Sequence, residues 1–305
     1  MSRPRSTVAW RPVDGILLLD KPTGLSSNQA LQRVKFLLRA EKAGHTGSLD
    51  PLATGMLPLC FGATTKVAGQ LLGASKCYET VARLGIETDT LDADGQVVAE
   101  SPVPGFDSAR IGQVLTELTG DITQVPPAFS ALKRDGVPLY RLARAGKTVE
   151  VEARRARVES IELIGHGANW IRLRIECGAG TYVRSLVRDL GDTLGCGAHV
   201  AELRRLWVQP FPAGGMHSLE QLEALEESAR LALLLPVEAG LRHLPAVELG
   251  EEVAARLVNG QRIPSEAPEG ECIAWSCGQA VARVRVDAQG LIHPLRILRI
   301  ADPSG

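Results

Sequence analysis

Apolar positions recur along the chain with two different periods, and the alternation between them sets out the elements. Gly15–Asp20 (GILLLD) is a short continuous apolar run closed by Lys21-Pro22-Thr23-Gly24, the pattern of a buried strand ended by a turn. Ser26 and Gln29 stand at capping-box spacing, and Leu31, Val34 and Leu38 then fall on one face of a helix. Lys76–Gly85 returns to a period of two, with Tyr78, Thr80, Ala82 and Leu84 on one face of a strand. Ile111, Val114, Leu115 and Leu118 mark a second helix, with Gly120 expected just past its cap.

Residues 121–153 break this rhythm. Gln124-Val125-Pro126-Pro127 reads as extended, Pro138–Ala145 as a short helix ended by Gly146, and the whole as an insertion projecting from the core. Two strands follow, the second being Trp170–Cys177, where Ile171, Leu173 and Ile175 alternate with Trp170, Arg172 and Arg174. The glycine-rich Gly178–Arg184 segment leads into a helix that buries Val183, Leu186, Val187, Leu190 and Leu194 and stops at Gly195. Ser218 and Gln221 cap another helix, expected to run into Leu233–Leu235. From about Leu244 the texture changes. A short helix (Glu251–Val258) precedes short strands around Cys272–Trp275, Ala280–Val286 and Leu291–Ile300, with a turn at Asp287–Gly290. The pattern predicts a basic tail over 1–12, a large domain over 13–243 carrying the 121–153 insertion, and a small β-rich domain over 244–305.

Composition narrows the function classes. With 305 residues, 23% of them charged, and a formal net charge of -1, no global basic field announces a nucleic acid. The distribution is more informative. Eight Lys or Arg lie between Lys133 and Arg157, among them Arg141, Arg144 and Lys147, against Asp135, Glu150 and Glu152. Such a stretch grips phosphates or forms a solvated hairpin. The first twelve residues add Arg3, Arg5 and Arg11 without an acid. The six cysteines include no C-x-x-C pair and no His at zinc-ligand spacing. Reduced, mostly buried thiols in a cytoplasmic protein are expected, with no signal peptide and no membrane span.

The candidate chemistry centres on Gly44–Gly55 (GHTGSLDPLATG). It sets one acid, Asp50, among glycines and a proline, on a shaped loop and with no second carboxylate in the segment. A lone acid so held serves as nucleophile or base, or caps the next turn. Arg184 falls in the first turn of its helix, where a cation opposes the helix dipole unless a carboxylate answers it. Asp50 is the attractive partner, and a surface pair with Asp189 the plain alternative. Tyr78, one of three tyrosines, is either a core residue or a platform for a flat base.

Taken together, Lys21-Pro22-Thr23-Gly24-Leu25-Ser26-Ser27, Gly44–Gly55, Tyr78 with Gly85-x-x-Thr88-Asp89-Thr90-x-Asp92-x-x-Gly95, Gly180–Arg184 and Ala198-His199-Val200-x-x-Leu203-Arg204-Arg205 resemble the TruB family of pseudouridine synthases, in order and over residues 15–211. Ser48 and Val183 stand where the family often has Thr and Ile. The resemblance implies an α+β pseudouridine synthase fold: a mixed, mainly antiparallel central sheet flanked by helices, plus a small β-rich PUA-like C-terminal domain that binds RNA.

It also implies a stand-alone enzyme that isomerises a uridine in the T-loop of tRNA, at position 55. Asp50 would start cleavage of the glycosidic bond, and the freed uracil would turn and rejoin the ribose through C5. Arg184 would pair with Asp50. Tyr78 would stack on the base and help remove the C5 proton. Leu203 would wall the base pocket, His45 would meet the flipped nucleotide, and Tyr182 would belong with the substrate contacts. Lys21 and Pro22 would brace the site, with Lys21 also counted among the substrate-binding residues. The 121–153 insertion, with Arg141, Arg144 and Lys147, would clamp the RNA. No cofactor, metal, membrane or protein partner is implied, and a monomer is the default. An Asp50 of ordinary pKa near ~3.9 would already be ionised at neutral pH and would need orientation more than activation. A non-catalytic RNA-binding module, a guide-RNA-dependent synthase and a base-releasing glycosylase are the competing readings.

Overall fold

The computed structural model describes residues 9–130, 132–134, 136–139 and 151–298. The GILLLD run forms β1 (Gly15–Lys21), buried along nearly its whole length because it lies inside a sheet. Ser26 caps α1 (Ser27–Leu37) in the expected reciprocal box with Gln29. Next come β2 (Ala43–His45), β3 (Thr54–Phe61), the short α2 (Ala68–Leu72), β4 (Lys76–Leu84), and the paired β5 (Ile86–Thr88) and β6 (Val97–Glu100). The Asp107 side chain caps α3 (Ser108–Glu117). Then follow β7 (Gly120–Gln124), the paired β8 (Lys133–Arg134) and β9 (Val137–Pro138), β10 (Arg154–Gly167), β11 (Trp170–Cys177), α4 (Val183–Leu194), β12 (Ala198–Val208) and β13 (His217–Ser218). The helices α5 (Leu219–Ala224) and α6 (Glu227–Ala232) close this part.

The nine-stranded central sheet runs β13–β1–β3–β12–β4–β11–β10–β7, with β2 added beside β3. Only β1–β13 and β3–β12 pair in parallel; the other neighbours are antiparallel. The mixed, mainly antiparallel α+β sheet is thus as expected. Its core gathers the apolar stripes of α1 (Leu31, Val34), α3 (Ile111, Val114, Leu115) and α4 (Val183, Leu186, Val187, Leu190) against the alternate residues of β4 and β11. Each such side chain, fully buried, contributes about 1.5–3 kcal/mol over leaving it in water.

A second, five-stranded sheet is built from β14 (Ala246–Glu248), β15 (Ile263–Pro264), β16 (Gly270–Ser276), β17 (Gln279–Val286) and β18 (Leu291–Ile297), with α7 (Glu251–Val258) packed beside it. The two sheets are joined by a buried apolar cluster. Val67 and Leu241 from the first part meet Ile273, Trp275, Ala280 and Leu298 of the second. Lys66 also donates to the Ile297 carbonyl (3.3 Å), and the Glu238 carboxylate accepts from Ala280 N (3.3 Å).

Four expectations change. The helix begun at Ser218 does not run to Leu235. It stops at Ala224, Leu225 is extended, and α6 begins afresh. The carbonyls that a continuous helix would bond internally accept instead from Arg230, which donates to Leu222 (2.6 Å), Glu223 (3.2 Å) and, at the end of α1, Leu37 (3.2 Å). The basic tail is shorter than twelve residues. Arg11 is docked by backbone bonds with Arg39 and Glu41 and by an ion pair to Glu227 (2.7 Å), while 1–8 lie outside the described residues. Residues 121–124 are not part of a projection, because with Gly120 they pair with β10 as the edge strand of the central sheet. Gly120 itself falls one residue later than expected, and its φ of 101° turns the chain from α3 into β7. The predicted Pro138–Ala145 helix falls almost wholly outside the described residues.

Candidate active site

The Asp50 loop joins β2 to β3, and its shape is imposed from both sides. Gly47 has φ 81° and Gly55 φ 98°. Parallel pairing sets Gly55 opposite Arg205 on β12, and any Cβ at Gly55 would overlap the Arg205 carbonyl oxygen. From the other side, the KPTGLSS segment stitches the loop down. Ser27 Oγ donates to the Leu49 carbonyl (2.9 Å) and accepts from Leu49 N (2.7 Å). Gly24 N donates to the Pro51 carbonyl (2.8 Å), and Thr23 Oγ1 to that of Leu52 (3.2 Å). Asp50 sits between these anchored neighbours, so the backbone that carries it is fixed and its carboxylate is left to be oriented by a side chain.

Arg184, in the first turn of α4, is 5% exposed, and its guanidinium ties three segments together. Nε donates to Asp50 Oδ2 (2.9 Å). Nη1 donates to the Thr90 carbonyl (2.7 Å) and lies 3.4 Å from Asp92 Oδ2. Nη2 donates to the Phe129 carbonyl (2.9 Å). The surface alternative is excluded, since Asp189 pairs with Arg188 (2.7 Å). Just before α4, the buried Gln124 side chain clamps Tyr182 through both of its backbone groups (2.8 and 3.0 Å).

Asp50 is therefore not a lone carboxylate. The Thr88–Gly95 turn delivers Asp92 to the far side of the same guanidinium. Thr90 Oγ1 (2.6 Å) and Asp94 N (3.2 Å) donate to its other oxygen. The second acid was absent from the local reading because it comes from a distant segment. Nor does Asp50 keep an ordinary pKa. Its side chain is 39% exposed, but that surface lines cavity walls, and burial raises its pKa. The Arg184 charge opposes this, Asp92 adds to it, and the Arg184 hydrogen bond and Lys21 oppose it further.

Asp50, Tyr78, Tyr182, Arg184 and Leu203 surround one cavity of about 330 Å³. Leu203 and Tyr78 reach it from the paired strands β12 and β4. An adjoining cavity of about 830 Å³ shares Asp50 and Arg184 and is lined by His45. Burial raises the Tyr78 phenol, with the Arg205 charge opposing, and also raises Tyr182. The His45 imidazole is lowered by burial and then by Arg205, so it is neutral near pH 7, and its Nδ1 is buried without a hydrogen-bond partner.

Lys21 belongs elsewhere. It is fully buried, and its ammonium donates to the carbonyls of Pro22 (2.8 Å), Leu25 (2.6 Å) and Pro51 (3.4 Å). It braces the Asp50 loop and is not among the residues that line either cavity. Arg141, Arg144 and Lys147 lie outside the described residues. Besides Asp92, sequence reasoning gave no role to Lys76 or Arg205, which also line the smaller cavity. The only sequence signal for either was its place inside a recognised segment or two residues before Tyr78. Among the described residues, no group of three or more His, Cys, Asp or Glu side chains is placed to hold a metal ion, and no helix is long and apolar enough to cross a membrane.

Comparison with known proteins identifies the family. Residues 35–183 match the TruB family pseudouridylate synthase N-terminal domain, and residues 184–242 the tRNA pseudouridylate synthase B C-terminal domain. The chain is 51% identical over 299 residues to tRNA pseudouridine synthase B of Xanthomonas axonopodis pv. citri (97% of this chain, 96% of the relative). It is 50% identical over 299 residues to the Pseudomonas aeruginosa protein of the same name (95% and 97%). Among solved structures, it resembles a Cbf5–Nop10–Gar1 complex, with a TM-score of 0.74 and 26% identity over 93% of this chain and 85% of that one. The chain belongs to the TruB family of pseudouridine synthases.

Proposed function

We propose that this chain converts uridine 55 in the T-loop of tRNA to pseudouridine, with Asp50 as the catalytic carboxylate. The observation that carries the reading is the Asp50–Arg184 pair at 2.9 Å, on the wall of a cavity that also presents Tyr78 and Leu203. The relatives named for this activity on tRNA support the substrate. A cavity of about 330 Å³ suits one base out of its stack, so the target nucleotide is extruded before it reacts. The larger adjoining cavity leaves room for its neighbours beside His45.

In this reading Asp50 starts cleavage of the N1–C1′ bond. Uracil turns within the pocket between Tyr78 and Leu203, C5 bonds to C1′, and the C5 proton leaves while N1 gains one, so no atom is gained or lost. Tyr78 stacks on the freed base and helps remove the C5 proton; its phenol rests neutral near pH 7, as an ordinary tyrosine does, and burial raises its pKa further with the Arg205 charge opposing. Arg184 orients Asp50 and favours its ionised form against the pull of burial. The segment after Gln124, with Arg141, Arg144 and Lys147, grips the RNA backbone, and the β-rich half-barrel at the C-terminal end, read as PUA-like, adds RNA contacts.

The test is incubation of the purified chain alone with an unmodified tRNA transcript, followed by position-resolved detection of pseudouridine. Pseudouridine at position 55 supports the reading. Free uracil would identify a glycosylase, and binding without conversion a non-catalytic module. Conversion only on adding a guide RNA would identify a guide-dependent enzyme.

A further inference from the structure

Among the described residues, two cations on the wall of the catalytic cavity have no carboxylate to answer them. Lys76 opens β4 two residues before Tyr78, so both side chains leave the same face of the strand. The lysine is 7% exposed, and its ammonium donates to the carbonyls of Leu72 (3.1 Å) and Ala74. Arg205, opposite Tyr78 on β12, is 1% exposed and donates to the carbonyls of Met56 (2.6 Å) and Gly47 (3.2 Å). Among the described residues, no carboxylate lies within 4.0 Å of either cation, whereas Arg184 in the same cavity is matched by Asp50 and Asp92.

Burying a cation without a counter-ion costs several kcal/mol, and a second like charge beside it raises the cost. Burial and Arg205 accordingly lower the Lys76 pKa to about 8. Both side chains line the cavity that holds Asp50 and Tyr78, so the missing anion belongs to whatever fills it. Lys76 uses two of its three ammonium hydrogens on carbonyls, which leaves one donor. Its strand partner is Cys177, at the start of the Gly178–Thr181 turn, where Gly180 has φ 84° and, chain neighbours apart, none of the described residues has an atom within 4 Å of the position a Cβ would take. Gly178, Gly180 and Thr181 of that turn line the same cavity. Two residues of strand span about 6–7 Å, the reach from a stacked base to the phosphate of its own nucleotide.

We infer that Lys76 holds a phosphodiester flanking the nucleotide being isomerised, with the buried Arg205 adding to the positive potential behind it. The inference rests on the reading of this cavity as the uridine site. It makes Lys76 a substrate-binding residue: the RNA supplies the counter-ion that the protein lacks, and the phosphate sets how deep the base enters beside Tyr78 and Asp50.

The test pairs RNA and protein changes. T-stem-loop RNAs carrying a single uncharged methylphosphonate, on the 5′ or the 3′ side of the target uridine, are compared with the unmodified RNA. Binding and single-turnover isomerisation are measured with the wild type, Lys76→Met and Lys76→Arg. One of the two methylphosphonates should weaken wild-type binding by about ten- to a hundred-fold. Lys76→Met should weaken the unmodified RNA by a similar factor, suffer no further loss from that methylphosphonate, and flatten the log affinity–log salt slope by roughly 0.7–0.9. Lys76→Arg should recover most of the binding. Independent, multiplying losses, or a wild type indifferent to both methylphosphonates, would overturn the assignment. The wild-type arm needs no variant, so a misfolded Lys76→Met cannot hide the answer. Failure of the wild type to isomerise the unmodified stem-loop would instead sink the reading of the cavity, and this inference with it.

Discussion

Arg184→Lys keeps the charge and removes the fork, and the structure lets the loss be worked through. The guanidinium reaches Asp50 at 2.9 Å, Thr90 O at 2.7 Å, Phe129 O at 2.9 Å and Asp92 at 3.4 Å, in three directions from a side chain that is 5% exposed. An ammonium on a shorter, single-ended stem cannot serve the Asp50 loop, the Thr88–Gly95 turn and Phe129 together, so at least two of these bonds are lost. Hydrogen bonds to a charged group are worth about 1.5–3 kcal/mol each, which puts the loss at roughly 3–6 kcal/mol, divided between folding and catalysis. If half of it falls on the transition state, turnover drops by roughly ten- to 150-fold. The pH profile adds a signature that mere unfolding would not give. In the proposed mechanism Asp50 acts as the ionised carboxylate, so activity should fall as pH drops through its pKa. Arg184 pulls that pKa down, and loosening it lets the pKa rise. The acidic limb of kcat/KM should therefore move to higher pH than in the wild type. Single-turnover rates across pH, with circular dichroism to confirm folding, are the assay. Near-normal turnover with an unmoved limb would refute Arg184 as the partner of Asp50.

Other substitutions should separate the parts of the site. Asp50→Asn should abolish isomerisation and leave tRNA affinity within a few-fold of wild type; single-turnover product formation close to wild type would remove Asp50 from the chemistry. Asp92→Asn should slow turnover yet move the acidic limb to lower pH, opposite to Arg184→Lys, because the Asp92 charge raises the Asp50 pKa; a shift in the same direction as Arg184→Lys would contradict the shared-guanidinium picture. Replacing Arg141, Arg144 and Lys147 with Ala should weaken tRNA binding more than chemistry and flatten the salt slope by up to roughly 0.7–0.9 per lost phosphate contact; an unchanged slope would mean that they only solvate the surface. Truncation at Leu244 should preserve stem-loop activity in whatever remains folded, since Asp50, Tyr78, Arg184 and Leu203 all precede it. It uncovers Val67 and Leu241, which are buried against Ile273 and Trp275. At about 1.5–3 kcal/mol per side chain, the melting temperature should fall by roughly 6–24 °C, and an unchanged value would show that this cluster carries no stability.

Legibility of the chain in its sequence follows the range of the interactions involved. Ser26 and Gln29, the Tyr78–Leu84 alternation and the Val183–Leu194 stripe state their structure within a dozen residues, and the observed elements match. The break at Leu225 was invisible because it is satisfied by a side chain, Arg230, which donates to the freed Leu222 and Glu223 carbonyls while also holding the Leu37 carbonyl at the end of α1, a partner set only by the tertiary fold. The same held for the shared cluster between the sheets, whose members lie from Val67 to Leu298.

The active site divides along the same line. Asp50 stands out in sequence because glycine and proline around a lone acid signal a shaped loop. Arg184 stands out because a cation in a helix's first turn needs an answer. Asp92 carries no such mark: an acid in a polar turn is unremarkable until the fold brings it across a guanidinium from another acid. That arrangement also changes the chemistry expected of Asp50. An isolated aspartate needs only orientation. One that is partly buried and shares its arginine with a second carboxylate has its pKa pushed up, and Arg184 and Lys21 oppose that rise. The guanidinium that aims the carboxylate is thus the same group that favours its charged form. Anything that loosens Arg184, including changes at Thr90 or Phe129 that never touch the substrate, should act on both at once.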